Sequence, residues 1–362
     1  MRFVPVNQLT VILLTAGIFF GCKADVVEPP PVVVGPPWIV FTTSNSPLPN
    51  SVINAIHVDI HNKVWIATGN GAASYSSRSW AIFRDSLKYL VYDSYNNSYV
   101  VCNVNSIALS KDQSVWFGLR GGGLVRYDKN SQTGHIWTRY KIPTIQTNLV
   151  NSIACDLSEA TTYGEVWITS SLGVDRFIQT SDDRGDWHYL GGLPNRSSQN
   201  TVAVRNSFDN SLWIGSDGDG IAVVSFFPIL TFSRVDFPPG ANFRVTGIAF
   251  ESQKSVWIST ENGILNVDLQ SGNWIEHNHL SEPANIPLGE MHSVETNEGT
   301  DRWFGTDSGL VHLSDTTWTR FRPSNSPLPN DIVTAIKYDF YGNLWIGTRN
   351  GLAVYNPTGV RM

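Results

Sequence analysis

Charge is scarce in this chain. Only 15% of its 362 residues are Asp, Glu, Lys or Arg, and the formal net charge is −6. With a pI near 5.7 and no basic stripe, the sequence excludes a nucleic-acid binder. Methionine is rare too, at three residues, against 13 Trp and 30 Gly. That balance points to strands and tight turns rather than helices. Past the N-terminus, no long segment places apolar residues at helical spacing, and no second apolar run approaches the roughly 20 residues of a membrane span. GxSxG, HExxH and CxxC motifs are all missing, so no familiar catalytic or metal signature is present.

What is present begins with a targeting segment. Arg2 is the only charge before Lys23, and residues 11–20, VILLTAGIFF, form an apolar stretch followed by Gly21-Cys22. A small residue before Cys at that point resembles the lipobox of bacterial lipoproteins, with Phe19 where Leu is usual. The expectation is a signal peptide over 1–21 and a lipidated Cys22. An ordinary signal peptide or an uncleaved anchor are the alternatives. Lys23-Ala24-Asp25 loosely resembles a surface-export signal. Residues 22–37 then read as the lipidated Cys plus a Pro-rich, extended spacer. The expected location is the bacterial cell envelope, lipid-anchored on the outer membrane at its periplasmic or surface face.

The remainder is a repeat. Trp65, Trp116, Trp167, Trp213, Trp257, Trp303 and Trp345 sit in the strings VWIAT, VWFGL, VWITS, LWIGS, VWIST, RWFGT and LWIGT, and a Gly follows each in a hairpin. A spacing near 45 residues matches one four-stranded propeller blade per repeat. The Trp strand is apolar at consecutive positions, as a strand buried on both faces must be. Each buried Trp removes roughly 200 Å² from water, about 5 kcal/mol as an upper bound. In five of the seven copies a Gly or Ala two positions later leaves room for the neighbouring blade. Gly121-Gly122-Gly123 is read as one more hairpin, not a phosphate loop, because no helix follows.

The chain ends predict how the ring closes. The seventh repeat stops after its third strand, near Tyr355, while Trp38-Ile39-Val40-Phe41 is a fourth strand with no repeat of its own. WIVFTTSNSPLPN at 38–50 matches WTRFRPSNSPLPN at 318–330. The expectation is an all-β, seven-bladed β-propeller over residues 38–357, with 38–41 completing the last blade. In that register Cys102 and Cys155 fall at opposite ends of neighbouring inner strands, too far apart for a disulfide. Both are expected to stay unbridged thiols.

The series SPLPN, V-x-AI, D-x-x-GN, LWIGT and NGLAVY at 326–355 resembles the two-component regulator propeller repeat. The resemblance extends over about residues 38–357 and is weaker in repeats three to five. It implies the extracytoplasmic sensor propellers of hybrid two-component systems, or related exported proteins. The kinase, DNA-binding and β-sandwich parts of such systems have no counterpart here, so a stand-alone propeller on a lipid anchor is expected.

Function is less legible. In a propeller the turns joining second to third strands share a face with the connections between blades. They supply Asn70, Arg120, Asp217, Asp219, Glu261, Asn262, Asp307, Arg349 and Asn350. Asn and Asp also favour turns for conformational reasons alone. Arg120 and Arg349 do not, and they rank highest. The long connection 84–99 carries Tyr89, Tyr92, Tyr95 and Tyr99, rings suited to a sugar or peptide, or simply to packing the connection down. The connection 277–292 carries His277, His279, Glu282, Glu290 and His292, a possible acid–base group that matches no metal-ligand spacing. The expected function is non-catalytic binding of an unidentified ligand, such as a glycan fragment, or of an envelope protein. No cofactor, metal or nucleic acid is expected, and the membrane contact is through lipid only. The alternatives are a propeller enzyme such as a polysaccharide lyase, and a structural scaffold in an envelope complex.

Overall fold

The computed structural model describes residues 34–92, 98–131, 134, 136–143, 149–155, 164–170, 172–181, 184–189, 200–218, 220–225, 231–235, 243–297 and 300–362. The targeting segment and Cys22 lie outside the described residues. Seven four-stranded antiparallel sheets form the blades of a propeller, each hydrogen-bonded in order from innermost to outermost strand. Blade one, for example, comprises Ile53–Val58, Val64–Thr68, Gly71–Ser76 and Ser79–Phe83. Inner strands begin the other blades at Val104, Ser152, Asn200, Val245, Met291 and Val333.

Closure is as the two ends of the sequence predict. Trp38–Phe41 pairs antiparallel with Gly351–Tyr355 and becomes the outer strand of blade seven. Residues 34–37, read above as the end of the spacer, run along the C-terminal segment: the Gly35 N–H donates to the Val360 carbonyl at 2.7 Å, and the Val360 N–H to the Pro36 carbonyl at 3.0 Å.

Every Trp of the repeat is buried, at 5% exposure or less. A buried indole N–H needs an acceptor. In blades one and seven it is an aspartate of the preceding turn: Trp65 donates to Asp59 at 3.1 Å and Trp345 to Asp339 at 2.8 Å. The same Asp339 carboxylate accepts from the backbone N–H groups of Tyr341 and Asn343 and from the Asn343 amide. The D-x-x-GN signature is therefore a turn built around one carboxylate, with Gly342 at φ 76° where a side chain would be strained. Blade six departs from the pattern. Asn297 occupies the aspartate position, and Trp303 donates to the Tyr338 hydroxyl of blade seven at 2.6 Å.

The second-strand glycines fit blades together. A Cβ on Gly347 would lie 2.6 Å from Cγ2 of Ile53, and one on Gly215 would lie 2.6 Å from Cγ1 of Val245, each in the next blade. Cys102 and Cys155 are buried and form no disulfide, as the register requires. Among the described residues no helix is long and apolar enough to cross a membrane. The one helical turn described is a 3-10 segment, Asp85–Leu87.

Candidate functional site

The threonine that ends the repeat motif shapes the turn after it. The Thr348 hydroxyl donates to the Gly351 carbonyl at 2.8 Å and accepts from the Asn350 N–H at 3.1 Å. Thr68, Thr260 and Thr306 make the same bond to Gly71, Gly263 and Gly309. Each turn is also tied to the inter-blade connections. Arg349 N–H donates to the Ile332 carbonyl, Gly351 N–H to Ser51, Arg120 N–H to Asn103 and Gly309 N–H to Asp331. Backbone bonds thus belt this face together, and the side chains just after the threonine stand out from it.

Arg120, Asp217, Arg349 and Asn350 are all exposed on that belt. They belong to blades two, four and seven, so they surround the channel mouth without meeting as one cluster. Among the described residues neither the Arg120 nor the Arg349 guanidinium has a hydrogen-bond or ion-pair partner. Asp219 and Tyr95 lie outside the described residues. Tyr92 pairs through its backbone with Ser98, and its side chain is likewise outside them.

The connection after blade one is more structured than an extended loop. Its 3-10 turn leads into a small hairpin, Tyr89–Tyr92 with Ser98–Val101. The Tyr89 hydroxyl donates to the Arg120 carbonyl at 2.5 Å, and burial pushes its pKa up to about 12. Arg139 clamps the same segment by donating to the carbonyls of Gly122, Ser86 and Lys88. For Tyr89 the packing role is the one observed.

The histidine-rich connection divides in two. His277 lies in the outer strand of blade five, with its ring centroid 5.8 Å from that of Trp257 and 5.4 Å from that of Trp318. Burial lowers its pKa, with Glu282 opposing. His279 Nδ1 contacts the Ile286 carbonyl at 2.9 Å. His277 is held between rings of blades five and six and His279 within the connection, so neither joins Glu290 and His292 in one acid–base group. The reason is radial: the connection crosses from the rim of blade five to the axis, and His292 emerges on the inner strand of blade six.

At that inner position a different cluster forms. His292 Nε2 meets Asp307 Oδ1 at 2.7 Å, and His292 Nδ1 lies 4.0 Å from Glu290. Glu290 is paired with Arg244, whose Nε lies 4.0 Å from Glu261. All five are partly exposed on the turn face, contributed by blades five and six and the connections that lead into them. The sequence reading names every acid here but misses Arg244. Its signal is position: it immediately precedes an inner strand, where a connection reaches the channel mouth. Among the described residues no three acids, histidines or cysteines are arranged to hold a metal ion.

Residues 327–350 match the family model described as Two component regulator propeller. This chain carries a two component regulator propeller repeat. The matched stretch includes both Leu344–Thr348 and the exposed Arg349 and Asn350. No curated protein matches the sequence. Among solved structures the propeller is similar to the extracellular domain of a protein described as a hybrid two component system from B. thetaiotaomicron, at 18% identity and TM-score 0.62. That alignment covers 90% of this chain and 39% of the other, so the chain spans about two fifths of that structure. It is similar to virginiamycin B lyase from Staphylococcus aureus, solved with quinupristin, at 16% identity and TM-score 0.64, over 88% of this chain and 98% of the lyase. PorZ, described as a surface component of the type-IX secretion system of Porphyromonas gingivalis, aligns at 16% identity and TM-score 0.63, over 84% of this chain and 46% of PorZ. At these identities the likeness is one of fold.

Proposed function

We propose that this two component regulator propeller is a non-catalytic, extracytoplasmic binding module. Its ligand or protein partner docks on the face carrying the second-to-third strand turns, with glycan fragments the leading ligand class. Cys22 anchors it by lipid to the outer membrane. The observation that carries the reading is the state of Arg120 and Arg349. Their backbones are fixed in the belt, while their exposed guanidinium groups have no partner among the described residues. Unspent donors on a fixed backbone suit recognition of oxygen-rich groups, because only the arginine side chains, and not the turns that carry them, have to be ordered at binding. The extracellular sensor domain among the structural neighbours agrees with an extracytoplasmic setting. A glycan array followed by thermal-shift titration tests the binding. A hit whose affinity is unchanged in Arg120→Ala and Arg349→Ala would remove the support for this face. Labelling with radioactive palmitate, lost in Cys22→Ala, tests the anchor.

A second reading, a polysaccharide lyase, rests on one arrangement: His292 held by Asp307, with Arg244 nearby. A histidine oriented by a carboxylate can take a proton, and an arginine can neutralise a uronate. The test is ultraviolet absorbance of unsaturated products from uronate polysaccharides. The lyase reading requires activity in the parent and its loss in His292→Ala.

A further inference from the structure

The seven inner strands differ where they line the channel. The residue opposite each Trp, from blade one to blade seven, is His57, Ala108, Ala154, Val204, Ala249, Glu295 and Lys337. Blades six, seven and one are neighbours around the ring. The three ionisable residues therefore form one continuous arc, and the four apolar residues form the other.

Five of these seven positions line a cavity of about 430 Å³. It also takes in Asp59, Ile60, Gln113 and Phe340, which lie in turns between first and second strands. The cavity thus opens on the face opposite Arg120 and Arg349. Ile60 and Phe340, 62% and 67% exposed, form an apolar lip at its edge. Its size falls within the range of small-molecule sites.

Two polar groups in this largely apolar space lack partners among the described residues. Gln113 Oε1 is buried with no hydrogen bond. Neither ring nitrogen of His57 makes one. Lys337, in contrast, is matched by Glu295 at 2.8 Å, so the ionisable arc carries no unpaired cation to attract an anion. Burial and Lys337 together lower the His57 pKa to about 4 against the pull of Asp59, which leaves the imidazole neutral at physiological pH.

We propose that this mouth of the channel is a second ligand site, for a small uncharged amphipathic molecule. Its apolar body lies against Ala108, Ala154 and Val204, and its hydrogen-bonding edge faces His57 and Gln113. A neutral imidazole can donate or accept, and the amide oxygen accepts. The site is independent of the one proposed above, since it lies on the other face and shares no residue with it.

N-phenyl-1-naphthylamine is a suitable probe: uncharged, with a phenyl and a naphthyl group on a single N–H, and brighter on leaving water. Fluorescence titration of the full chain should saturate at one probe per chain. His57→Ala and Val204→Phe should each weaken binding at least tenfold, and Phe340→Ala several-fold. Arg120→Ala and Arg349→Ala should bind as the parent does. Circular dichroism checks the inner-strand variants, and Phe340→Ala, at an exposed turn, decides if they fail to fold. Absence of saturable binding to the parent overturns the proposal. So does parental affinity in the folded cavity variants, or loss of binding in Arg349→Ala.

Discussion

Trp38 stands directly opposite Tyr355, with their ring centroids 4.5 Å apart. This pair joins the start of the propeller to its end. Trp38 also meets Phe321 of blade six at 5.9 Å, so one side chain bridges two blades as well as the two ends of the chain. Without the closing strand, Gly351–Tyr355 would present an open edge of unpaired backbone groups.

Trp38→Ala should therefore cost about 2–3 kcal/mol, below the range for a fully buried Trp because Trp38 keeps some exposure. The thermal midpoint should fall by about 5 °C or more. Deleting residues 38–41 should lower it much further and promote aggregation. An unchanged midpoint in the deletion, read by calorimetry, would mean the ring does not close through this strand.

The contact between Gly347 and Ile53 makes a sharper test of blade packing. A Cβ at 347 would fall 2.6 Å from Ile53 Cγ2, where the neighbour must move. Gly347→Ala should destabilise by about 1–3 kcal/mol. Ile53→Ala alone should cost about 2–5 kcal/mol through the cavity it leaves. Combined, the two should cost at least about 1 kcal/mol less than their sum, because each relieves the other's defect. Additive losses in urea melts would argue that the two blades do not meet here.

A buried ion pair supports blade two. Arg126 is 1% exposed and donates to Asp112 at 2.7 Å and to Asp128 at 2.8 Å. Its removal strands two carboxylates, so Arg126→Ala should cost about 3–5 kcal/mol. Replacing all three charges with apolar residues of similar volume should recover much of that loss. If Arg126→Ala alone is nearly neutral by denaturant unfolding, the charges are solvated and the network is not buried.

How much of this was legible depends on the distance over which each signal acts. The Trp string and its Gly are local, and each copy repeats them, so the blade count could be read directly; the closing strand followed from the matching chain ends at 38–50 and 318–330. Arg349 and Asn350 follow from the same register. The Arg244 group did not follow, because Glu261 and Glu290 come to it from separate turns that only the closed ring brings together. The histidine connection misled for the opposite reason. His277 and His292 are near in sequence, but a blade's full radius separates them.

The same division between architecture and display predicts two classes of variant. Arg120→Ala and Arg349→Ala remove exposed side chains with no partner among the described residues. They should shift stability by no more than about 0.5 kcal/mol. Asp339→Ala removes the acceptor of four hydrogen bonds at a buried turn and should cost about 3 kcal/mol or more. Thermal melts of the three variants should separate cleanly. A large loss in either arginine variant would assign that arginine to the fold and remove it from the candidate binding face.

Acid should reveal the half-buried histidines. His57 titrates near pH 4 in the folded chain, chiefly because burial disfavours its charged form, against an ordinary value of 6.5. His277 and His312 are lowered for the same leading reason. Above pH 6.5 both folded and unfolded chains hold these rings neutral, and stability is unaffected by them. Below pH 6.5 the unfolded chain binds protons that the folded one refuses, down to about pH 4 for His57, so stability falls as pH falls. For His57 the loss is at most about 3 kcal/mol across that window. Replacing His57 with Gln, which keeps a polar side chain but cannot titrate, should flatten the dependence of unfolding free energy on pH over this range. If the slope of the His57→Gln variant matches that of the parent, the imidazole is solvated in the channel and its neutrality does not contribute to the fold.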